Sequence, residues 1–321
     1  MTDTLRPFRP EDREAIVAIG NRDRPPHRHS SAEGWKRMDA RLNAERIELR
    51  LCIADPTDDH AVAYLGIVDL NTTGFKMADV CEFDLTVAHA HRRQGNGSRL
   101  YDRALEFAGD RGAKRLITWF REWTEDEPAM HFLKARGFEE LERETPSYLD
   151  LTNWDAVPFT HPLGVDLHLF SYAEVEDTFE NRHRLYELQK ALIYDIPRRD
   201  DQPFTFEPFE DWQKFVLDRP DWRPDLCLLA EAGGEWVGQC HVMPKMETPH
   251  VGMQWLTGVS SSQRGRGLAT ALKVAAYEHA RDSAVTTIIT ENHEDNAPML
   301  AINRKFGFIP EPAAVSYHKA L

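Results

Sequence analysis

Apolar and polar positions change their spacing repeatedly along the 321 residues, and each change predicts an element. Leu5–Arg9 opens as a short strand, Pro10-Glu-Asp12 supplies an acidic helix start, and Ala15, Ile16 and Ile19 follow at helical spacing. Trp35–Leu42 predicts a second helix. Leu49–Ala54 and Ala61–Val68 read as strands around Asp55-Pro-Thr-Asp-Asp59, a hairpin signal. Val80–Val87 predicts another strand, and the helix after it aligns Leu100, Ala104, Phe107 and Ala108 until Gly112 stops it. Arg115–Phe120 and Ser147–Leu151 read as strands, the second closing the first half of the chain. Thr152–Leu163, with Pro158 and Pro162 and mixed polarity, predicts a linker.

Beyond it the plan restarts. Val165–Phe170 is a strand and Thr178–Leu192 a helix, while Leu226–Glu231 and Glu235–Val242 make a hairpin about Gly233-Gly234. Trp255–Val259 is a strand, Leu268, Leu272, Ala275, Ala276 and His279 lie at helical spacing, and Val285–Thr290 and Val315–Lys319 are strands. The glycines repeat as well. A spacing of 172 residues separates Arg92 from Arg264 and Gly66 from Gly238, and 170 separate Gly137 from Gly307. A repeat that long is a domain duplication, not a solenoid period. The expected organisation is a domain over 1–152, a linker over 153–163 and a second domain over 164–321, each an α/β fold with a mixed sheet flanked by helices.

The repeated unit carries chemistry in its centre. A strand ending at Val259 runs through Ser260 and Ser261 to Arg264-Gly-Arg-Gly267, and Leu268-Ala269 open a helix. The first N–H groups of a helix have no partners within it, and the dipole adds about half a positive charge there. Gly265 and Gly267 let a phosphate approach the backbone, and Arg264 and Arg266 can add charge-assisted hydrogen bonds. The turn lacks the Gly-Lys-Ser/Thr ending of a P-loop, and Thr270 occupies the last position of a G-x-G-x-x-G fingerprint, so neither nucleotide motif fits. The first copy runs from Val87 through Arg92-Arg-Gln-Gly-Asn-Gly97, placing Arg93, Gln94, Gly95 and Asn96 in the turn.

Arg264-x-x-Gly267-x-Ala269 after a strand resembles the acetyl-CoA loop of the GNAT (GCN5-related) N-acetyltransferases, and Asn292–Phe308 resembles that family's later strand, helix and Gly-Phe motif. Both occur twice, so the chain resembles a tandem GNAT protein over nearly all its length. Its Asn303, where many members carry Tyr, is similar to the mycothiol-synthase branch. The resemblance implies acetyl-CoA as acyl donor and a small-molecule amine as acceptor. It assigns donor binding to the two loops named above and, in the second copy, to Asn292 and Asn296. Asp126 aligns with Asn296 and replaces an amide by a carboxylate, which favours the second copy as the donor site.

The acid and base are split between the halves. The Tyr position is Leu133 in the first copy and Asn303 in the second, and neither can donate that proton. Glu82 and Asp84 lie on the strand before the first loop, where the family often keeps its base; the second copy has Gln254 and Thr257, leaving Glu291 as its candidate base. The expectation is acetyl transfer centred in the C-terminal half. The alternatives are an N-terminal centre using Glu82, or an acyl-CoA sensor without turnover.

Composition narrows the partners. The net charge of −14 argues against nucleic acid and fits a cationic amine, though many soluble enzymes are as acidic. No apolar run reaches the length of a membrane span, and Met1–Arg6 is not a signal peptide, so a cytoplasmic monomer or homodimer is expected. Cys52, Cys81, Cys227 and Cys240 fall in apolar runs without CxxC spacing and read as small buried hydrophobes. No metal is expected: His27 and His29 lie in a polar loop with no third ligand placed by spacing. Loops 21–35 and 194–212 are expected to border the acceptor pocket.

Overall fold

A computed structural model of the chain describes residues 4–40, 42, 45–73, 77–123, 128–160, 162–196, 205–219, 222–246 and 248–321. It divides into two compact units. One comprises Met1–Arg143 with Pro312–Leu321, the other Glu144–Glu311.

The first unit holds a seven-stranded mixed sheet. Six of its strands are β1 (Thr4–Pro7), β2 (Glu48–Ala54), β3 (Ala61–Asp69), β4 (Val80–Val87), β5 (Arg115–Arg121) and β6 (Glu139–Glu144). Helices α1 (Arg13–Asn21) and α2 (Ala32–Asp39) follow β1, α3 (Asn96–Asp110) follows β4, and α4 (Pro128–Lys134) follows β5. β3 is buried at every position but Gly66, the pattern of a strand covered on both faces. α3 places Leu100, Ala104 and Ala108 on Leu65, Ile67 and Phe83, which explains the apolar stripe in its sequence.

The second unit repeats the plan in a second seven-stranded sheet. It contains β7 (Ser147–Asp150), β8 (Leu167–Ser171), β9 (Cys227–Ala232), β10 (Glu235–Pro244), β11 (Val251–Val259), β12 (Thr287–Thr290) and β13 (Ile309–Pro310). The helices are α5 (Phe179–Tyr194), α6 (Phe209–Val216), α7 (Leu268–Asp282) and α8 (Ala297–Phe306). Thr178 caps α5 by accepting from the Asn181 N–H at 3.2 Å. α7 packs Leu268, Leu272, Ala276 and Ala280 against the buried residues of β9 and β10.

Two expectations of the sequence are corrected. The strand at Ser147–Leu151, expected to close the first half, lies in the second sheet, where β7 pairs antiparallel with β12 and β13. Its place in the first sheet is taken by β14 (Ala314–Ala320), which runs antiparallel to β5 from Ala314↔Arg121 to Ala320↔Arg115, in the order β4-β5-β14-β6. Alternation along a strand reports which face is buried but not which sheet it joins. The stretch 153–163, expected as a linker, is part of the second core. Trp154 and Phe159 stack in parallel, Phe159 lies 4.5 Å from the Phe306 ring, and the Trp154 indole N–H donates to the Phe306 carbonyl at 3.2 Å. Of the prolines that suggested a linker, Pro158 shapes a short 3-10 turn at Val157–Phe159.

The four cysteines are free and buried. Among the described residues no helix is long and apolar enough to cross a membrane.

Candidate functional site

In the second unit β11 ends at Val259 and the chain turns through Ser261–Gln263 before Gly265 and Gly267 adopt φ of +78° and +75°. Glycine takes this backbone without the strain a Cβ brings. The Ser260 N–H donates to the Val237 carbonyl at 2.8 Å, which ties the turn to β10. Gly267 is the N-cap of α7 and offers no side-chain acceptor, so the first N–H groups of Leu268 and Ala269 are left for a ligand. A Cβ placed on Gly265 would meet nothing within 4 Å. The turn is open and backbone-lined, a geometry that suits an anion.

Its arginines have partners of their own. Arg264 Nε donates to the Val259 carbonyl at 3.2 Å and its Nη2 to Asp195 at 2.7 Å, while Arg266 Nη2 donates to Asp166 at 2.6 Å. Arg264 thus staples the turn to the strand end. The two ion pairs are exposed, and such pairs are weak enough to exchange for a phosphate.

The first copy has the same backbone with more side chain in it. Arg92 Nε donates to the Val87 carbonyl at 3.1 Å, the counterpart of the Arg264 bond. Gly95 caps α3 at φ +87°, but Arg93 stands where the second copy has Gly265, at φ +61°. That conformation costs an L-residue about 1–2 kcal/mol. Gln94 donates to the Ala90 carbonyl at 2.9 Å, and buried Asn96 to the His91 carbonyl at 3.2 Å. A Cβ on Gly97 would lie 3.2 Å from the Phe132 ring.

Each cradle stands at the mouth of a wedge between parallel strands. β11 pairs with β12 only across Val251–Met253, and β4 with β5 only across Val80–Glu82. Beyond those residues the edge from Gln254 to Val259 faces no strand on that side among the described residues. The units then differ. Against β10, Leu256 faces His241 and Gln254 faces Val242, so Trp255 is an extra residue, a bulge. The β3–β4 ladder runs unbroken from Ala63↔Val87 to Asp69↔Cys81. A bulge bends its strand and takes one residue's polar backbone out of the ladder.

Across the wedge, at the end of β12, lie Glu291 and Asn292. Glu291 is exposed, and Asn292 is half-buried with its Oδ1 accepting from Asn303 Nδ2 at 2.7 Å. Asn303 Oδ1 in turn accepts from Lys273 Nζ of α7. Tyr277, one turn on, donates to Gln254 of β11. Asn296, expected on the donor, caps α8 by accepting from the Met299 N–H at 3.3 Å, so that oxygen is in use. Asp126, its counterpart, lies outside the described residues.

In the first unit the carboxylates of β4 occupy an unusual setting. Burial pushes Glu82 above the ordinary glutamate value, and Arg46 partly offsets it. Asp84 is open to solvent, yet the surrounding protein also pushes its carboxyl up, while Arg24 draws it down. Glu82 and Glu291 belong to different units, so the structure does not join the two candidate bases in one unit. His29 Nε2 bonds the Arg24 carbonyl at 2.9 Å, and among the described residues no three His, Cys, Asp or Glu side chains are grouped to hold a metal.

Sequence reasoning missed Lys273 and Gln239. Lys273 lies on the buried face of α7 with Ala276, Tyr277 and Ala280, at the i, i+3, i+4 and i+7 spacing. A lysine inside an apolar stripe was the available signal. Gln239 is fully buried opposite Gly258, and neither of its amide atoms has a partner among the described residues; no periodicity marks it.

The model of the acetyltransferase (GNAT) family matches the chain twice, over residues 16–138 and 190–308. The chain is 27% identical over 267 residues to a mycothiol acetyltransferase of Amycolatopsis mediterranei (strain U-32), covering 79% of this chain and 80% of that one. It is 25% identical over 264 residues to a mycothiol acetyltransferase of Corynebacterium glutamicum (strain R), with 79% and 81% covered. Among solved structures, a GCN5-related N-acetyltransferase from Sphaerobacter thermophilus superposes with a TM-score of 0.75 at 20% identity, covering 99% of this chain and 95% of that one. A tandem GNAT protein from the clavulanic acid biosynthesis pathway gives 0.75 at 19%, with 99% and 98% covered. These two likenesses establish a tandem α+β fold.

Proposed function

The chain belongs to the acetyltransferase (GNAT) family, and from that membership we propose that its second unit moves the acetyl group of acetyl-CoA to the primary amine of a small molecule. The observation that carries the choice of unit is the bulge at Trp255, directly before a cradle whose two turn positions are left-handed glycines. The first unit has neither the bulge nor the second glycine.

The residues suit a nucleotide thioester as donor. The N–H groups opening α7, with Arg264 and Arg266 released from their exposed partners, would hold the diphosphate. The free edge of β11 offers backbone groups to an extended amide-bearing arm, as an added strand would use them. The bulge leaves backbone polar groups out of the ladder, and on this reading they serve the thioester carbonyl as it gains negative charge. In the transfer the amine, having lost its ammonium proton to Glu291 or a water beside it, forms the C–N bond. The C–S bond breaks, the electron pair leaves on sulfur, and the thiolate takes up the proton that the nitrogen sheds as it becomes the amide. The relatives' name makes a mycothiol-type acceptor the first to try. Free, buried cysteines suit a reducing cytoplasm.

Acetyl-CoA titration by calorimetry on wild type, Gly267→Glu and Gly95→Glu tests the assignment, since a carboxylate in a phosphate cradle blocks its own site. Loss of binding only in Gly267→Glu is the expected result. Loss only in Gly95→Glu would move the centre to the first unit. That second reading has support in the raised carboxyls of Glu82 and Asp84, and Glu82→Gln abolishing turnover would favour it.

A further inference from the structure

Lys273 has no exposed surface, and among the described residues no carboxylate pairs with it. Its ammonium bonds Asn303 Oδ1 and is otherwise enclosed by rings, at 5.8 Å from Tyr277, 5.8 Å from Phe306 and 5.2 Å from Phe308. A buried charge without a counter-ion is costly and is found where it has a task.

The internal repeat supplies a comparison. At the same places the first unit has Tyr101 for Lys273 and Leu133 for Asn303, and the matching registers Val80↔Arg115 and Val251↔Thr287 put Phe120 where the second has Asn292. All three members of the chain are present in the unit with the bulge and all three are absent from the other.

An ammonium has donors only. It therefore compels Asn303 to turn its oxygen inward and its Nδ2 toward Asn292, and the bond at 2.7 Å then fixes Asn292 Oδ1 inward too. Asn292 is left with its N–H groups facing outward at the end of β12, and among the described residues nothing accepts from them. We propose that Lys273 is a positioning residue whose charge sets the polarity of the Asn303–Asn292 amide chain, so that Asn292 presents a hydrogen-bond donor to the sulfur that leaves in acetyl transfer. This rests on the second unit being the active one. It supplies by relay the donor that Asn303, in the place of a tyrosine, does not supply itself.

The relay is sensitive to the lysine's proton. A neutral amine can accept, which permits both amides to turn over and Asn292 to present oxygen, repelling an anion. Burial draws Lys273 down to about 8, with Cys240 acting in the opposite sense. The groups facing it from each packed element are Cys240 of β10, Tyr277 of α7, Asn303 and Phe306 of α8, and Phe308 beyond α8. Burial raises both the Cys240 thiol and the Tyr277 hydroxyl.

The test compares wild type, Lys273→Met and Asn303→Leu, the second reproducing the residue of the first unit. Three quantities are measured: acetyl-CoA affinity by calorimetry, the pH profile of kcat, and urea stability from pH 7 to 10. Lys273→Met is expected to bind acetyl-CoA within about threefold of wild type, because the cradle is untouched. Its kcat should fall on the order of 10²-fold, the effect of losing one preorganised donor. Its decline of kcat above pH 8 should disappear, and Asn303→Leu should behave alike. Stability gives a readout independent of turnover. Because the folded-state value is depressed, the unfolded chain alone binds this proton between about 8 and the usual lysine value, so wild-type stability rises across that window. In Lys273→Met this rise should vanish and the neutral-pH stability should increase. Unchanged kcat and pH profile in both variants would overturn the relay. Acetyl-CoA binding that survives Gly267→Glu would instead overturn the choice of unit.

Discussion

Replacing Trp154 by Ala tests whether residues 153–163 are structure or tether. Trp154 stacks on Phe159 at 5.8 Å and on Phe306 at 5.6 Å, meets Tyr277 edge-on at 5.7 Å, and bonds the Phe306 carbonyl at 3.2 Å. A fully packed Trp→Ala change costs about 3–5 kcal/mol. Trp154 is half-buried, so the expected loss is near the lower end, about 3 kcal/mol, of which the ring pairs contribute about 0.5–1.5 each. Trp154→Phe keeps most of the stacking and removes the N–H donor, which sets its expected loss at about 1 kcal/mol. Urea unfolding of the full chain gives the totals, and hydrogen exchange in peptides from β9 and β2 assigns them to a unit. The second unit alone should loosen. A loss under about 1 kcal/mol for Trp154→Ala, or added exchange confined to β2, would refute the packing argument and restore the linker.

The exchanged strand predicts an effect far from the mutation in sequence. Tyr317 is fully buried and stacks on Phe120 at 5.5 Å, so Tyr317→Ala should cost about 3–5 kcal/mol and raise exchange in β3 and β5 while β10 stays protected; added exchange in β10 instead would contradict the strand assignment. Acid sensitivity of the first unit should trace to Asp12, whose carboxylate takes two bonds of 2.8 Å from Arg6 at 4% exposure. Burial pushes this carboxyl up, but the Arg6 bonds and the Arg9 N–H outweigh it and hold it below the ordinary value. Its stabilisation is therefore complete above the unfolded value and lost as pH falls through the folded one. Asp12→Asn should cost about 3 kcal/mol at pH 7 by leaving Arg6 buried beside only Asp59, with the difference from wild type shrinking below pH 4; a constant difference across that range would exclude Asp12 as the source.

The duplication and both glycine turns were legible because left-handed backbone leaves few choices of residue, and Gly267 and Gly95 are those positions. Strands β3, β4, β10 and β11 were legible from their apolar runs. The Trp255 bulge was not, since one extra residue in an apolar run leaves the run intact and shows only in the register with β10. The roles of Arg264 and Asn296 were hidden for another reason. The partners that fix them to the local chain, Val259 O and the Met299 N–H, are backbone groups, which every residue type supplies equally. The family membership was readable from motifs; the placement of β7 and β14 needed three-dimensional pairing.

The place of β14 also bears on the order in which the chain can fold as it is made. Arg115 of β5 waits for Ala320 before its ladder is complete, whereas every strand of the second sheet lies between Ser147 and Pro310. A ribosome has thus released all of the second sheet before the first can close. Until then β5 and β6 lack the strand that separates them, and unpaired edges of that kind are the ones that seek other chains. Synthesis begins with the unit that must finish last. A chain exposed only as far as residue 310 would have the second sheet complete and the first open, a state in which chaperone binding should concentrate on β5 and β6.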